Sequence, residues 1–546
     1  MAADRPRTLT RQQRRAATPR AAAASTAGAD EHLWSAARRL IAGGQVAVIG
    51  CIVASCLLFG VVYVDAFIDD AGYHIPNAVR IAQHLNPYFV DSPVDSHWFP
   101  AGAETLVALP VWLTGSLNVT NLSGGLCVLA LVVLMYHFAG LWCADHLGRL
   151  TSALCVATIP LMIGQSMAFY IDIHLALVVC LSLYLQCLSL VRRRAAYAYG
   201  ALAVALLAPA IKYSGLFLFG ILAPACAYCL WAAPRPRRPT VRTVTLLLCV
   251  ALFTSGWYVR NWVSRGNPVY PFAVGTWIRP LLAVVHVPFE SDPEHGISSP
   301  TTAFPHPFVP QSWLTHEFTP HMTADAFGAS ATLAGLCALL SLPWLARLEV
   351  ARRRAWIFLW IVVVLMLLLF PFGLRIPRYL LCVPVLAALG PAVLYGLATR
   401  TGARRAVTLL AAAAGVLGAL YVYANLLAPG AVANNVRLAW SHLAPYTPVG
   451  GKSYPYVRRG HLRIGYTSGF SNFIAALYDP GLTNTLIPLH YKNYPYNYGH
   501  EMGSPEEFIE HVRSLQLDYI HVFDKRYPGV DLLRKAFPDK IRGIDD

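Results

Sequence analysis

Apolar and polar residues follow one another along this chain in blocks far longer than any amphipathic repeat. About eleven blocks reach the roughly 17–25 mostly apolar residues that a membrane-crossing helix needs. They begin near Gln45, Val119, Thr151, Ile173, Ala196, Tyr213, Val241, Ala324, Ala355, Tyr379 and Ala406. Pro209 and Lys212 interrupt the fifth and sixth, whose boundaries are the least regular. Long polar blocks break the series at residues 66–117, 260–323 and 428–546. The first of them mixes polar and aromatic residues and predicts two short helices, one from about Pro76 and one from about Pro100. Proline suits a first helical turn, and such helices lie in the headgroup plane. The tail changes character. "HLRIGYTS" and "LDYIHVF" alternate like strands, and "SPEEFIEHVRSL" reads as a helix capped by Ser504, so a small α/β domain is predicted there.

Composition narrows the class. Of 546 residues, 56% are hydrophobic and 13% charged. A soluble chain would carry about one quarter charged residues, so this is an α-helical polytopic membrane protein. The net charge of +15 would suggest nucleic acid in a soluble chain. Here the arginines sit between apolar blocks: in the tail up to Arg39, at Arg149, at Arg192 to Arg194, around Arg237, at Arg347 and Arg352 to Arg354, and at Arg400 to Arg405. All fall on one side if the chain starts in the cytoplasm, which is the positive-inside pattern. That excludes a nucleic-acid partner. It predicts a disordered basic cytoplasmic tail over 1–44, a multi-pass domain over 45–427 and an extracytoplasmic domain over 428–546. It also puts residues 66–117 and 260–323 outside. All twelve cysteines precede the last long apolar block, and they read as packing residues rather than disulfides. Cys226 and Cys229 have metal-type spacing without a second pair nearby. No inverted repeat of the transporter kind is visible.

Ionisable residues gather at the outer helix ends. Asp69 and Asp70 follow the first apolar block within "DAFIDDAGYH". A carboxylate beside hydrocarbon is costly, so the pair is either a solvated helix exit or a catalytic group. Arg260 and Asn261 in "GWYVRNWVSRGNPVYPF", Arg378 in "FGLRIPRYLL" and Lys212 in "APAIKYSG" are cations where the positive-inside rule disfavours them. They suit phosphate recognition or interfacial anchoring. Asp172 in "FYIDIHL" is a further candidate or a helix cap. His286, His295, His306, His316 and His321 match no ligand spacing and read as a solvated loop. The tyrosines between Tyr491 and Tyr498 suit interfacial packing better than a sugar platform.

"DDAGYH" at this position resembles the acidic first-loop signature of GT-C glycosyltransferases, and "WYVRNWVSRGNPVYPF", "AIKYSG", "FYIDIH" and "IPRYLL" resemble segments of a bacterial branch of that superfamily. That branch is related to protein O-mannosyltransferases and lipid A aminoarabinose transferases. The resemblance runs over residues 66–381. It implies a GT-C fold in a bacterial inner membrane. It also implies a polyprenyl-phosphate sugar donor, and a glycan, lipid or protein acceptor on the outer side. A hexosyl or pentosyl group would pass with inversion. Asp69 would take the acceptor proton and Asp70 would orient the acceptor. Lys212, Arg260 and Arg378 would stabilise the departing phosphate. Tyr73, His74, His97, Glu104, Asp172, Asn261 and Tyr379 are the remaining substrate candidates. The aminoarabinose transferases carry a Glu-Lys-Pro step tied to a metal ion, where this chain reads Trp98-Phe99-Pro100. The zinc site does not carry over, and a divalent cation stays an open question, with His97 and Glu104 merely close by. A transporter or flippase of lipid-linked glycans would place its charges near the midplane. A glycan ligase would share the donor but lacks a first-loop acidic pair.

Overall fold

A computed structural model describes residues 11–62, 73–90, 95–167, 169–234, 239–270, 328–369, 377–398, 401–422, 455–467, 474–479, 481–492, 501–523 and 526–542. Asp69 and Asp70, the five histidines of the second polar block and most of the tyrosine-rich loop lie outside them.

Helices dominate as the apolar blocks predict. The first, α1, is Arg11–Val62, so the basic segment expected to lack structure is helical from Arg11 onward. Two short helices follow, α2 (Ile75–His84) and α3 (Gly102–Thr114), where the two prolines announced them. Next come α4 (Leu122–Ala139), α5 (His146–Ala157), α6 (Pro160–Met167), α7 (Asp172–Arg192), α8 (Ala195–Ala205), α9 (Ala208–Ile211), α10 (Ser214–Ala232) and α11 (Val241–Arg265). After the second polar block the chain forms α12 (Gly328–Ser341), α13 (Val350–Leu369), α14 (Cys382–Ala387), α15 (Gly390–Leu397) and α16 (Thr401–Val422).

Among the described residues, seven helices are long and apolar enough to cross a bilayer, or eight if α5 and α6, bent by 61°, count as one. The other three expected spans are helical at their places but fall short. α8 is cut off before Pro209, α13 opens on Arg352 to Arg354, and α16 begins among Arg404 and Arg405. Arginine-bearing ends meet at one end of the bundle. Arg38 pairs with Asp145 and lies over Tyr395, Arg405 lies over Trp34, and the Trp142 indole donates to the Arg352 carbonyl.

Packing along α11 shows how one helix divides its surface. Thr254, Trp257 and Asn261, three and four residues apart, are buried, while Leu246, Leu252 and Val263 are exposed. Apolar residues without a protein partner are what a lipid-facing stripe requires. Elsewhere helices approach closely. A Cβ on Gly390 of α15 would sit 2.1 Å from the Ala334 carbonyl oxygen of α12.

The tail carries a four-stranded parallel sheet: β1 (Arg463–Thr467), β2 (Thr485–Leu489), β3 (Tyr519–Val522) and β4 (Ile541–Arg542), in the order β2-β1-β3-β4. Two of these strands were read from alternation; β2 and β4 were not. β2, "TLIPL", contains a proline, which weighs against a strand. The capped helix appears as α17 (Pro505–Ser514), with the Ser504 hydroxyl accepting from the Glu507 amide. α18 (Val530–Ala536) completes the layer. Leu489, Phe508, Ile520 and Val522 form the domain's own core. Ile464, Tyr466 and Leu486 instead join the core of the membrane helices. The sheet is therefore seated on the helical domain.

Candidate functional site

The site begins with a helix that stops twice. α8 ends at Ala205, α9 adds one turn, and Lys212 is fully extended at φ −159° before α10 starts. Gly215 holds the break shut, because a Cβ there would lie 2.0 Å from the Ala208 carbonyl oxygen. The break aims the Lys212 amine at α7, where Nζ lies 2.8 Å from Asp172 Oδ1. Asp172 is the first residue of α7, and its carboxylate caps no backbone amide of that helix. Its second oxygen faces Arg378 Nε at 3.7 Å, an ion pair too long for a hydrogen bond. The Asp172 side chain is 1% exposed, so it is held by its two cations and not by water. Aromatic faces complete the group. Lys212 Nζ lies 3.9 Å from the Tyr379 ring centre, and Arg378 covers both Tyr170 and Tyr379. Cations over aromatic faces gain from the ring quadrupole. Three residues distant in sequence thus make one cationic, aromatic-walled constellation.

A second group lies alongside. Arg260 donates to the Trp98 carbonyl at 2.5 Å and to Asn261 Oδ1 at 2.9 Å. The Asn261 amide donates to the Tyr213 hydroxyl at 2.8 Å, and Tyr213 follows Lys212 directly. Arg260 therefore does not meet Lys212 and Arg378 at Asp172, as a single three-cation site would have it. It lines a neighbouring cavity with Asn77, Arg80 and His97. His97 Nδ1 lies 2.8 Å from Arg80 Nη1. Burial, with the Arg80 charge beside it, pushes the His97 pKa well below its ordinary 6.5. The neutral ring then accepts from Arg80 at Nδ1 and carries its own proton on Nε2.

A third pair is apolar-walled. His74, just before α2, meets Glu104 of α3 with Nδ1 and Oε1 2.6 Å apart, both side chains 2% exposed. Phe169 lies edge-on to His74. Tyr73 packs against Phe99, which packs against Tyr213. The second and third groups thus share aromatic walls through Phe99 and Tyr213. His74 stands four residues after Asp70, which lies outside the described residues.

The metal question can be tested on these residues. His97 faces a guanidinium, which opposes a nearby cation, and His74 and Glu104 engage each other. Among the described residues no three His, Cys, Asp or Glu side chains converge to hold a metal ion. His97 and Glu104, near one another in sequence, belong to different groups here.

Sequence reasoning missed Arg80, Gln83, Tyr170 and Tyr466. Arg80 Nη2 reaches the Tyr466 hydroxyl at 3.4 Å and the Leu486 carbonyl at 3.3 Å. Gln83 Nε2 donates to the carbonyls of Leu482 and Asn484 at 2.7 and 3.0 Å. α2 is thereby bonded to the C-terminal sheet. Residues 75–82 are all buried, so α2 is roofed by protein and does not lie open in the headgroup plane. The available signal was Arg80 and Asn77 on a helix otherwise rich in small and apolar residues.

The chain is similar to ArnT. The crystal structure of ArnT from Cupriavidus metallidurans in the apo state matches at 13% identity and a TM-score of 0.48, over 82% of this chain and 85% of that one. The structure of the same protein bound to undecaprenyl phosphate matches at 16% identity and a TM-score of 0.43, over 81% and 75%. No protein-family model and no curated protein sequence matches the chain.

Proposed function

We propose that this protein is a membrane glycosyltransferase that moves a sugar from a polyprenyl-phosphate donor to an acceptor on the outer side of a bacterial inner membrane. The observation that carries the reading is the Asp172–Lys212–Arg378 constellation, where cations and aromatic faces meet at helix ends. A phosphate leaving from a lipid needs fixed positive charge in a place with little water. Lys212 and Arg378 supply it. Asp172 aims them and offsets one of the two charges, so one net positive charge remains. Tyr170 and Tyr379 wall the cations from solvent. The N-terminus lies inside, and the C-terminal sheet closes over the first outer loop through α2.

The anomeric carbon becomes oxocarbenium-like as its bond to the phosphate oxygen lengthens. The acceptor hydroxyl attacks from the opposite face, which inverts the centre. Asp69 takes the hydroxyl proton and Asp70 orients the acceptor. The His74–Glu104 pair fixes the start of α2. Removing a general base costs about 10²–10⁴-fold in rate. Asp69→Asn should lose transfer by that order while keeping its thermal stability. A folded Asp69→Asn protein with near wild-type transfer, beside an inactive Glu104→Gln, would move the base to α3.

A further inference from the structure

We propose that α7, α10 and α13, at the end of the bundle opposite the Lys212 group, form a docking site for an anionic glycerophospholipid. Its headgroup sits on Arg353 and Arg354, and its chains run along α13. α7 starts at Asp172 and α10 just after Lys212, so the last turns of both lie at the far end. There they meet the first turns of α13. The Cys187 thiol of α7 lies 3.7 Å from the Ala355 carbonyl oxygen, and the Tyr228 ring of α10 stacks on Phe358 at 5.7 Å. Trp231 stands three residues after Tyr228, with its ring 6.0 Å away, and Arg354 stands four residues before Phe358. Each is about one helical turn nearer the end, so the indole and the arginine share a level. Arg192 and Arg193 close α7 in the same region.

Arg354 is exposed and heads a stripe. Ile357, Ile361, Val364 and Leu368 follow it at spacings of three and four residues, and all are exposed. Trp356, Leu359, Val362 and Met366, on the other face of α13, are buried. A cation at the end of an exposed apolar stripe matches a charged headgroup over hydrocarbon chains. The charge here is also uncompensated. Among the described residues neither Arg353 nor Arg354 forms an ion pair, and the carboxylates of Glu349 and Asp145 already face Arg352 and Arg38. Arg193 has φ +53°, a left-handed position that ordinarily takes glycine, so a cation is kept there at a conformational cost. Trp231 is 81% exposed. Amphipathic rings settle at headgroup level, where the indole N–H donates to a phosphate or ester oxygen. A soluble anion would use the charge and leave the stripe; a lipid uses both. The inference needs no sugar transfer, and in the topology proposed above this leaflet is the cytoplasmic one.

The test titrates the purified full-length protein in a neutral detergent with dioctanoyl phosphatidylglycerol, read by native mass spectrometry and thermal shift. A neutral micelle carries no surface potential, so diffuse attraction to every arginine is removed. Saturable binding and a raised melting temperature are expected, with dioctanoyl phosphatidylcholine binding at least about fivefold more weakly. The double variant Arg353→Gln, Arg354→Gln should weaken phosphatidylglycerol binding by about fivefold for each cation lost. The double variant Arg39→Gln, Arg405→Gln removes the same charge from α1 and α16 and should leave binding within about twofold, less than the loss of one headgroup cation. Melting of each variant without lipid is the folding control. Glycerol phosphate, which has the charge without the chains, should not compete. The inference is overturned if phosphatidylglycerol binds no better than phosphatidylcholine, if both double variants weaken binding equally, or if glycerol phosphate displaces the lipid at equal concentration.

Discussion

Asp172→Asn is the most informative single change, because one carboxylate stands between two cations. The side chains of Lys212 and Arg378 are 18% and 12% exposed, and that of Asp172 is 1% exposed. At an effective dielectric constant near 20, Coulomb's law gives about 6 kcal/mol for charges 2.8 Å apart and about 4.5 kcal/mol for 3.7 Å. Desolvation cancels much of this. The net cost of breaking a buried pair by removing one partner is about 3–5 kcal/mol. Asparagine is nearly isosteric, so lost packing adds little. It keeps one acceptor for Lys212 but leaves two like charges facing each other. Thermal and urea unfolding of the wild-type protein and Asp172→Asn, in the same detergent, should show a loss of that order. Lys212→Met in the Asp172→Asn background should restore part of it, giving a coupling energy in the double-mutant cycle of about 1–3 kcal/mol. A loss under about 1 kcal/mol with additive effects would refute the claim that the three charges act as a unit.

Three further outcomes follow from particular contacts. His97 has a depressed folded pKa, so above 6.5 both folded and unfolded forms are neutral, and as pH falls below 6.5 only the unfolded chain gains the proton. Stability should therefore drop on acidification below that point by up to about 1.4 kcal/mol per pH unit, and His97→Gln should flatten the slope in urea titrations; an unchanged slope would show that His97 is not buried beside Arg80. Gln83→Ala removes both bonds to the Leu482 and Asn484 carbonyls, so amide exchange in β2 should quicken on the order of fivefold, for a loss of about 1 kcal/mol, whereas unaltered exchange would mean that α2 does not hold the sheet. Gly390→Ala forces a methyl group against the Ala334 carbonyl, so an overpacking cost of about 1–3 kcal/mol should lower the melting temperature, and an unshifted melt would contradict the close approach of α12 and α15.

The helices were legible because a bilayer imposes a length and a hydropathy that survive without alignment. All eleven expected positions are helical, and the two short helices start next to Pro76 and Pro100. The three that fall short do so where arginine or proline enters, as at Arg352 to Arg354 and Pro209. The break at Lys212 was visible as an irregularity, and its purpose emerged only when Asp172 was found opposite. Spacing says nothing about partners forty residues apart. Reading Asp172 as a cap was reasonable for the first residue of a helix, but two cations claim its carboxylate. Arg260 shows the reverse limit. Its type suggested phosphate, yet chain position did not reveal that it faces Arg80 and not Lys212. Arg80 itself stayed hidden, because a lone arginine on an amphipathic helix normally points to water. The sheet that buries it lies almost four hundred residues away.

The central claim is tested most directly by giving the purified wild-type protein a panel of radiolabelled polyprenyl-phosphate sugars, with membrane glycolipid, polysaccharide and peptide acceptors. At least one pair is expected to yield labelled acceptor of inverted anomeric configuration and to release an equal amount of polyprenyl phosphate. Movement of intact lipid-linked sugar across the bilayer, with no label transferred from any donor, would contradict it.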